Sequence, residues 1–422
     1  MKLVSYGRLK NGIMYYSQYD PSSNVSGIGV RRGSIHDPPD RRGKFHLIEH
    51  VMCRSSKKYD NRKVDLMLEE YMGGPDVDIN VRIDRTSTFF GHDNLLYRNH
   101  VMKCFDMLAS LFIDRLVDRE GLEIEKAAIL QEYYLYGVDV MFNLADDLIH
   151  QVMHDDNNPV RNRIDCEPGE LEKITLAEVR QDIKKGYATE NTFVILLGPK
   201  FAEAKAMTEK HFGHMPRTSA SALDYDFSKK FQGLSCAKSI IHEQPGIHQS
   251  HLAIGFPTGK FMTSDDAALD ILARVWAFRL RMRLREGNIN FREGVYRTLV
   301  QSPRSFAHGM IYSWFAVDPG FVSQAEEIVI GECDKLRKDR VINDEFNAMK
   351  NSVRNIYRDA FLKSPGVLSE LIIQSACNGD EELAHLHSFL DRWAKVTPHK
   401  LREVANKYFT IPNYARVLIK PV

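Results

Sequence analysis

The strongest constraint on the fold is a unit that occurs twice. Residues Lys173–Pro199 and Lys395–Pro421 align without a gap at an offset of 222. Lys173, Thr175, Arg180, Lys185, Asn191, Leu196 and Pro199 recur as Lys395, Thr397, Arg402, Lys407, Asn413, Leu418 and Pro421. Each copy predicts the same local structure. A threonine N-cap opens an amphipathic helix, a turn follows at Asn, and an apolar strand stops near proline. The repeat extends upstream, where Ser26–Gly33 and Ser250–Gly259 both read as strands running into glycine-containing turns. Each precedes an amphipathic helix, His46–Cys53 in one case and Asp266–Arg281 in the other. The expected fold is α+β, with two similar halves of about 210 residues. Each half is a mainly antiparallel sheet with helices packed on it, and together they form a clamshell. The halves are 1–215 and 239–422, joined by a Ser- and Lys-rich connector at 216–238.

Composition narrows the function. In 422 residues, 57 Lys and Arg balance 56 Asp and Glu, which argues against a dedicated nucleic-acid binder. No apolar run approaches the ~18 residues of a membrane span. The N-terminus has neither the apolar stretch of a signal peptide nor the Arg and Ser of a transit peptide. A cytoplasmic or already processed chain is expected. The cysteines Cys53, Cys104, Cys166, Cys236, Cys333 and Cys377 are scattered with no CxxC, which fits free thiols in a reducing compartment and disfavours a cysteine zinc site.

Chemistry concentrates in Gly43-Lys44-Phe45-His46-Leu47-Ile48-Glu49-His50. On a helix, His46 and His50 are one turn apart and project from one face. Two imidazoles so placed can bind one metal, with Glu49 close enough to act on a metal-bound water. A catalytic zinc needs a third protein ligand. Glu125 and Glu132 lie two helical turns apart in Glu123-Ile-Glu125-Lys-Ala-Ala-Ile-Leu-Gln-Glu132, so Glu132 can be that ligand and Glu125 can support a histidine from behind. The second half keeps none of these. The offset of 222 carries Glu132 to Arg354 and Glu125 to Asn347, and the offset of 226 that aligns Gly29 with Gly255 carries His46 to Leu272 and His50 to Trp276.

In order along the chain, Gly33-Ser34, Gly43-x-x-His46-x-x-Glu49-His50 and Glu125-x6-Glu132 resemble the pattern of the pitrilysin/insulinase family of zinc metallopeptidases, the inverzincins. The two-half length is similar to that of the mitochondrial processing peptidase-like branch, and the likeness covers most of the chain. The resemblance implies a zinc metalloendopeptidase with His46, His50 and Glu132 on zinc, Glu49 as general base and Glu125 in support. A small insertion then separates His50 from Glu132. The family's second-half Arg and Tyr match Tyr296 with either Arg285 or Arg292. Its substrate-pairing strand falls at Asp78 or Asn80, here without the usual Ala, and Cys53-Arg54-Ser55-Ser56 lacks the usual small-residue turn. Peptide bound as an added strand, and a homodimer or a heterodimer with a related subunit, are the implied partners. A non-catalytic or half-active peptide-binding subunit is the alternative.

Overall fold

In the computed structural model, both repeat threonines cap helices. The Thr175 hydroxyl accepts from the Glu178 amide at 3.3 Å and that of Thr397 from the Lys400 amide at 3.2 Å. The structure describes residues 4–72, 80–92, 98–135, 138–166, 168–220, 225–227, 234–285, 295 and 298–422, so part of the 216–238 connector lies outside it.

The first half of the chain runs β1 (Ser5–Arg8), β2 (Met14–Tyr19), β3 (Val25–Val30), α1 (Lys44–Met52), α2 (Asn61–Met72), β4 (Asn80–Ile83), β5 (Thr88–His92), α3 (Arg98–Ile113), α4 (Arg119–Leu135), α5 (Val138–Met153), α6 (Pro168–Leu171), α7 (Leu176–Gly186), β6 (Thr192–Gly198) and α8 (Phe201–Phe212). The second runs β7 (Lys238–Gln244), β8 (Ser250–Pro257), α9 (Asp266–Arg285), β9 (Thr298–Gln301), β10 (Met310–Val317), α10 (Val322–Lys338), α11 (Asn343–Lys363), α12 (Pro365–Cys377), α13 (Ala384–His387), α14 (Phe389–Lys395), α15 (Pro398–Tyr408) and β11 (Ala415–Pro421).

Two mixed sheets result, ordered β1-β2-β6-β3-β5-β4 and β7-β11-β8-β10-β9. The pairs β2/β6 and β7/β11 are parallel and the others antiparallel. Without β1 the two orders coincide, which makes the repeat structural. The registers agree as well. Gly29 faces Phe193 across β3/β6, and Gly255 faces Ala415 across β8/β11. Phe193 and Ala415 are related by the offset of 222, Gly29 and Gly255 by 226. Glycine is required at both strand positions, because a Cβ at Gly29 would lie 2.1 Å from the Phe193 ring and one at Gly255 2.6 Å from Tyr312 Cβ. The central strands β6 and β8 are buried along their whole length and read as near-continuous apolar runs.

The chain forms two compact units that exchange segments between the sequence halves. One comprises Met1–Leu135, Asn162–Tyr225 and Arg358–His387, the other Tyr136–Arg161, Asp226–Tyr357 and Ser388–Val422. Helix α5, from the first half, presents Met141, Ala145, Leu148, Ile149 and Val152 to the core of the second sheet, among Ala253, Met310, Trp314, Val417 and Ile419. These positions follow one helical face. Helix α12, from the second half, packs on β3 and β6 of the first sheet. No described helix is long and apolar enough to cross a membrane.

In the second unit a buried carboxylate ties α15 to the start of α9. Asp265 accepts from Lys407 Nζ at 2.6 Å and the Tyr408 hydroxyl at 2.9 Å, and pairs with Lys400 Nζ at 2.9 Å. Burial opposes its charge, but the hydrogen bonds from Lys407, Lys400 and Tyr408 outweigh burial and hold the carboxyl down to about 2, against 3.8 ordinarily. A depressed folded-state value stabilises the fold above the unfolded pKa, and that stability is lost as pH falls toward the folded one. Asp265→Asn is expected to cost about 1–2 kcal/mol at neutral pH, after solvent screening around the exposed lysine heads. The difference in urea midpoint between variant and wild type should shrink below pH 3.8 and be nearly gone at pH 2.

Candidate metal centre

Helix α1 is almost wholly buried and begins at a glycine. Gly43 caps it with a left-handed backbone, φ 74°. A Cβ at Gly43 would stand 2.2 Å from Cys166 Sγ and 2.7 Å from the Cys166 backbone, so only glycine fits. The first-turn amides, which have no partner within the helix, find one upstream. Asp37 accepts from Gly43 N at 2.8 Å and Phe45 N at 2.9 Å. Burial pushes the Asp37 carboxyl up to about 8 against the pull of those bonds. Asn162 Nδ2 fixes the same loop by donating to the Asp37 and Ser34 carbonyls, each at 3.0 Å. Asp118, just before α4, accepts from Gly121 N at 2.7 Å with its carboxylate.

These caps set α1 against α4 in one unit, and the predicted side chains meet between them. His46 and His50 have ring centroids 5.0 Å apart. Glu132 Oε2 lies 3.6 Å from His46 Nε2 and 3.4 Å from His50 Nε2. Glu49 Oε2 is 3.9 Å and 3.7 Å from the same nitrogens. Donor atoms of His46, Glu49 and His50 all fall within 4.8 Å of one another. From behind, His50 Nδ1 donates to Glu125 Oε2 at 3.1 Å. Helix α4 therefore offers Glu132 to the Nε2 side and Glu125 to the Nδ1 side, as the seven-residue spacing predicts.

The donor set fits a divalent cation. Zinc bonds of 2.0–2.1 Å in a tetrahedron place ligands about 3.3 Å apart, close to the separations from Glu132 to the two histidines. The charges agree. Four carboxylates, Glu49, Glu125, Glu132 and Asp165, surround two imidazoles, and the cluster demands positive charge. Burial alone would lower His50, but hydrogen bonds with Glu125 and Glu132 and the Glu49 charge raise it to about 10. Burial and the neighbouring His50 lower His46. Burial raises Glu49 to about 7. Two imidazoles and a carboxylate suit zinc and accept other borderline divalent ions.

The other predicted residues divide. Asn80 opens β4, the edge strand of the six-stranded sheet, with its backbone opposite Gly91; its side chain and Asp78 lie outside the description. Arg285 ends α9 as an exposed residue of the other unit. Tyr296 and Arg292 lie outside the described residues. Three contributors escape sequence reasoning. Asp37 caps α1, Asp165 Oδ1 lies 3.8 Å from His46 Nδ1, and Arg54 Nη1 donates to Glu125 Oε1 at 2.5 Å. Of these, only Arg54 falls in a segment the sequence marks, Cys53-Arg54-Ser55-Ser56, and nothing there singles it out.

Residues 13–163 match the family model described as Insulinase (Peptidase family M16), and residues 173–353 match Peptidase M16 inactive domain. The mitochondrial-processing peptidase subunit beta of Neurospora crassa is 25% identical over 228 residues, which are 53% of this chain and 46% of that protein. The chain thus spans less than half the length of that relative. Zinc protease PqqE of Helicobacter pylori is 20% identical over 440 residues, covering 98% of this chain and 92% of that protein. The crystal structure of a protease from Helicobacter pylori superposes with a TM-score of 0.86 at 16% identity, over 100% of both chains.

The cap makes a prediction about the centre. Gly43→Ala carries a left-handed backbone penalty of about 1–2 kcal/mol before its overlap with Cys166 is counted. It should lower the thermal midpoint and reduce bound metal per chain, measured by plasma mass spectrometry. Wild-type metal content and midpoint together would show that the cap does not hold the site.

Proposed function

We propose, from the premise that this chain belongs to the insulinase family, peptidase family M16, that it is a zinc-dependent metalloendopeptidase acting on peptides or small unfolded polypeptides. The carrying observation is the meeting of His46, His50 and Glu132 around one point, with Glu49 beside it. His46, His50 and Glu132 would hold the zinc. When bound, zinc lowers the pKa of its water to about 7 and polarises a carbonyl oxygen. Glu49 takes the proton from the attacking water and returns it to the departing amine. Burial suits Glu49 to this shuttle, because a dry carboxylate accepts a proton more readily than a solvated one. Glu125 holds the His50 Nδ1–H, leaving Nε2 for the cation.

The substrate backbone is read as an added strand on β4. That strand is the sheet edge beside α1, and among the described residues no other strand pairs with its outer side. Asn80 and Arg292 are assigned to substrate, and Tyr296 with Arg285 to the oxygen that gains charge. The scattered cysteines, with no CxxC, support a reducing, cytoplasmic setting.

A second reading has its own support. The Neurospora relative is a subunit, and the model matching 173–353 is described as inactive. On that reading the chain is a half-active, peptide-binding member of a homodimer or heterodimer. Light scattering combined with peptide cleavage by the isolated chain separates the two: a cleaving chain supports the first reading, and cleavage that appears only with a related partner supports the second.

Glu49→Gln tests the mechanism. It should retain zinc and lose cleavage by about 10²–10⁴-fold or more, and chelation of the wild type should abolish cleavage until zinc is restored. Cleavage that survives both treatments rules the reading out.

A further inference from the structure

We propose that Arg54 is a positioning residue for the metal centre: it clamps Glu125 so that this carboxylate fixes the His50 ring with Nε2 toward the cation. The inference rests on the metal reading given above. Arg54 follows His50 by four residues, just beyond the end of α1. Its Nη1 donates to Glu125 Oε1 at 2.5 Å, while Glu125 Oε2 accepts from His50 Nδ1 at 3.1 Å. One carboxylate therefore serves both, one oxygen each. The two side chains are mostly shielded, 19% exposed for Arg54 and 14% for Glu125.

Asn61 seats the guanidinium, and Gly121 leaves it room. Asn61, the first residue of α2, accepts from Arg54 Nη2 at 2.8 Å with its amide oxygen turned toward it, and donates to the Arg54 carbonyl at 2.6 Å. Gly121, in the first turn of α4, leaves space for the side chain. A Cβ there would lie 3.2 Å from Arg54 Nε, 3.4 Å from its Cδ and 3.1 Å from Asp118 Oδ1. Glycine inside a helix costs about 1 kcal/mol relative to alanine, and the passage of Arg54 gives this one a reason. Arg54 is thus held by α2, passes over α4 and grips the carboxylate that meets His50 from behind.

The chemistry favours arginine. Its planar fork binds a carboxylate oxygen and a side-chain amide at fixed angles, which a lysine point charge cannot reproduce. A ligating histidine needs its second nitrogen held by an acceptor, because that bond sets both tautomer and ring orientation. Glu125 supplies the acceptor, and Arg54 keeps the acceptor from turning away and neutralises part of its charge.

The test is zinc affinity, read by competition with a chromophoric chelator, for the wild type, Arg54→Met, Glu125→Gln and the double variant. Arg54→Met should bind zinc about ten-fold more weakly, at the low end of the 10–100-fold loss expected for Glu125→Gln. In the Glu125→Gln background the arginine change should add less than about two-fold, because Arg54 acts through Glu125. Wild-type affinity in Arg54→Met, or an equal loss in both backgrounds, overturns the proposal. Circular dichroism checks folding. If Arg54→Met does not fold, Arg54→Lys takes its place, keeping the charge without the planar fork, with a several-fold loss expected only when Glu125 is intact; no loss overturns the proposal. A wild-type chain that takes up no zinc sinks the metal reading and this proposal with it, whereas zinc bound equally by Arg54→Met sinks this proposal alone.

Discussion

The face-to-face placement of α1 and α4 is the contact on which the site depends. Neither helix could make a centre alone. α1 brings two imidazoles and a buried acid together, and such groups are costly to bury unless paired. α4 meets them with carboxylates two turns apart, one on each side of His50. The cluster that forms has more negative than positive charge, and the raised His50 is its response, while burial raises Glu49. A divalent cation between the Nε2 atoms and Glu132 would take over the charge that a proton on His50 otherwise supplies. The same electrostatic strain that makes the site a poor piece of core makes it a good ligand set.

The second half gives the contrast. At the offset of 226, His46, Glu49 and His50 correspond to Leu272, Val275 and Trp276 of α9, each wholly buried. Trp276 packs against Phe409 with ring centroids 5.1 Å apart. Where no metal is needed, the cheaper solution for a buried helix face is apolar packing. The duplicated sheet order is kept by both halves, so the fold itself does not require the polar cluster. Its presence in one copy only points to a role other than stability.

Much of this was legible in the chain itself. The repeat gave two halves because N-caps, glycine close approaches and buried strands leave local signatures, as at Thr175, Thr397, Gly29 and Gly255. The His46, Glu49 and His50 set was legible because helical spacing fixes its geometry, and Glu125 and Glu132 because two turns of helix do the same. What stayed hidden joins residues distant in sequence. Asp37 reaches a helix that begins several residues later through a loop, Asp165 approaches His46 from over a hundred residues away, and Arg54 gains its meaning only from Gly121 and Glu125. The exchange of α5 and α12 between sheets was hidden for a related reason. An amphipathic helix declares which face it buries but not which sheet receives that face.

The edge strand shows why a departure in side chains need not be a departure in chemistry. β4 pairs with β5 through Asn80 to Ile83, and among the described residues no strand pairs with its other edge, beside α1. Recognition by strand addition draws its affinity from main-chain donors and acceptors, which every residue but proline supplies. The absence of the usual alanine near Asn80 therefore bears on side-chain selectivity and leaves the pairing edge intact. By contrast, Gly43 and the metal-facing residues work through one atom or one backbone conformation each, and no neighbour can stand in for them. On the proposed reading, tolerance should accordingly differ: broad along β4, where the backbone would do the binding, and narrow along α1, where individual atoms would.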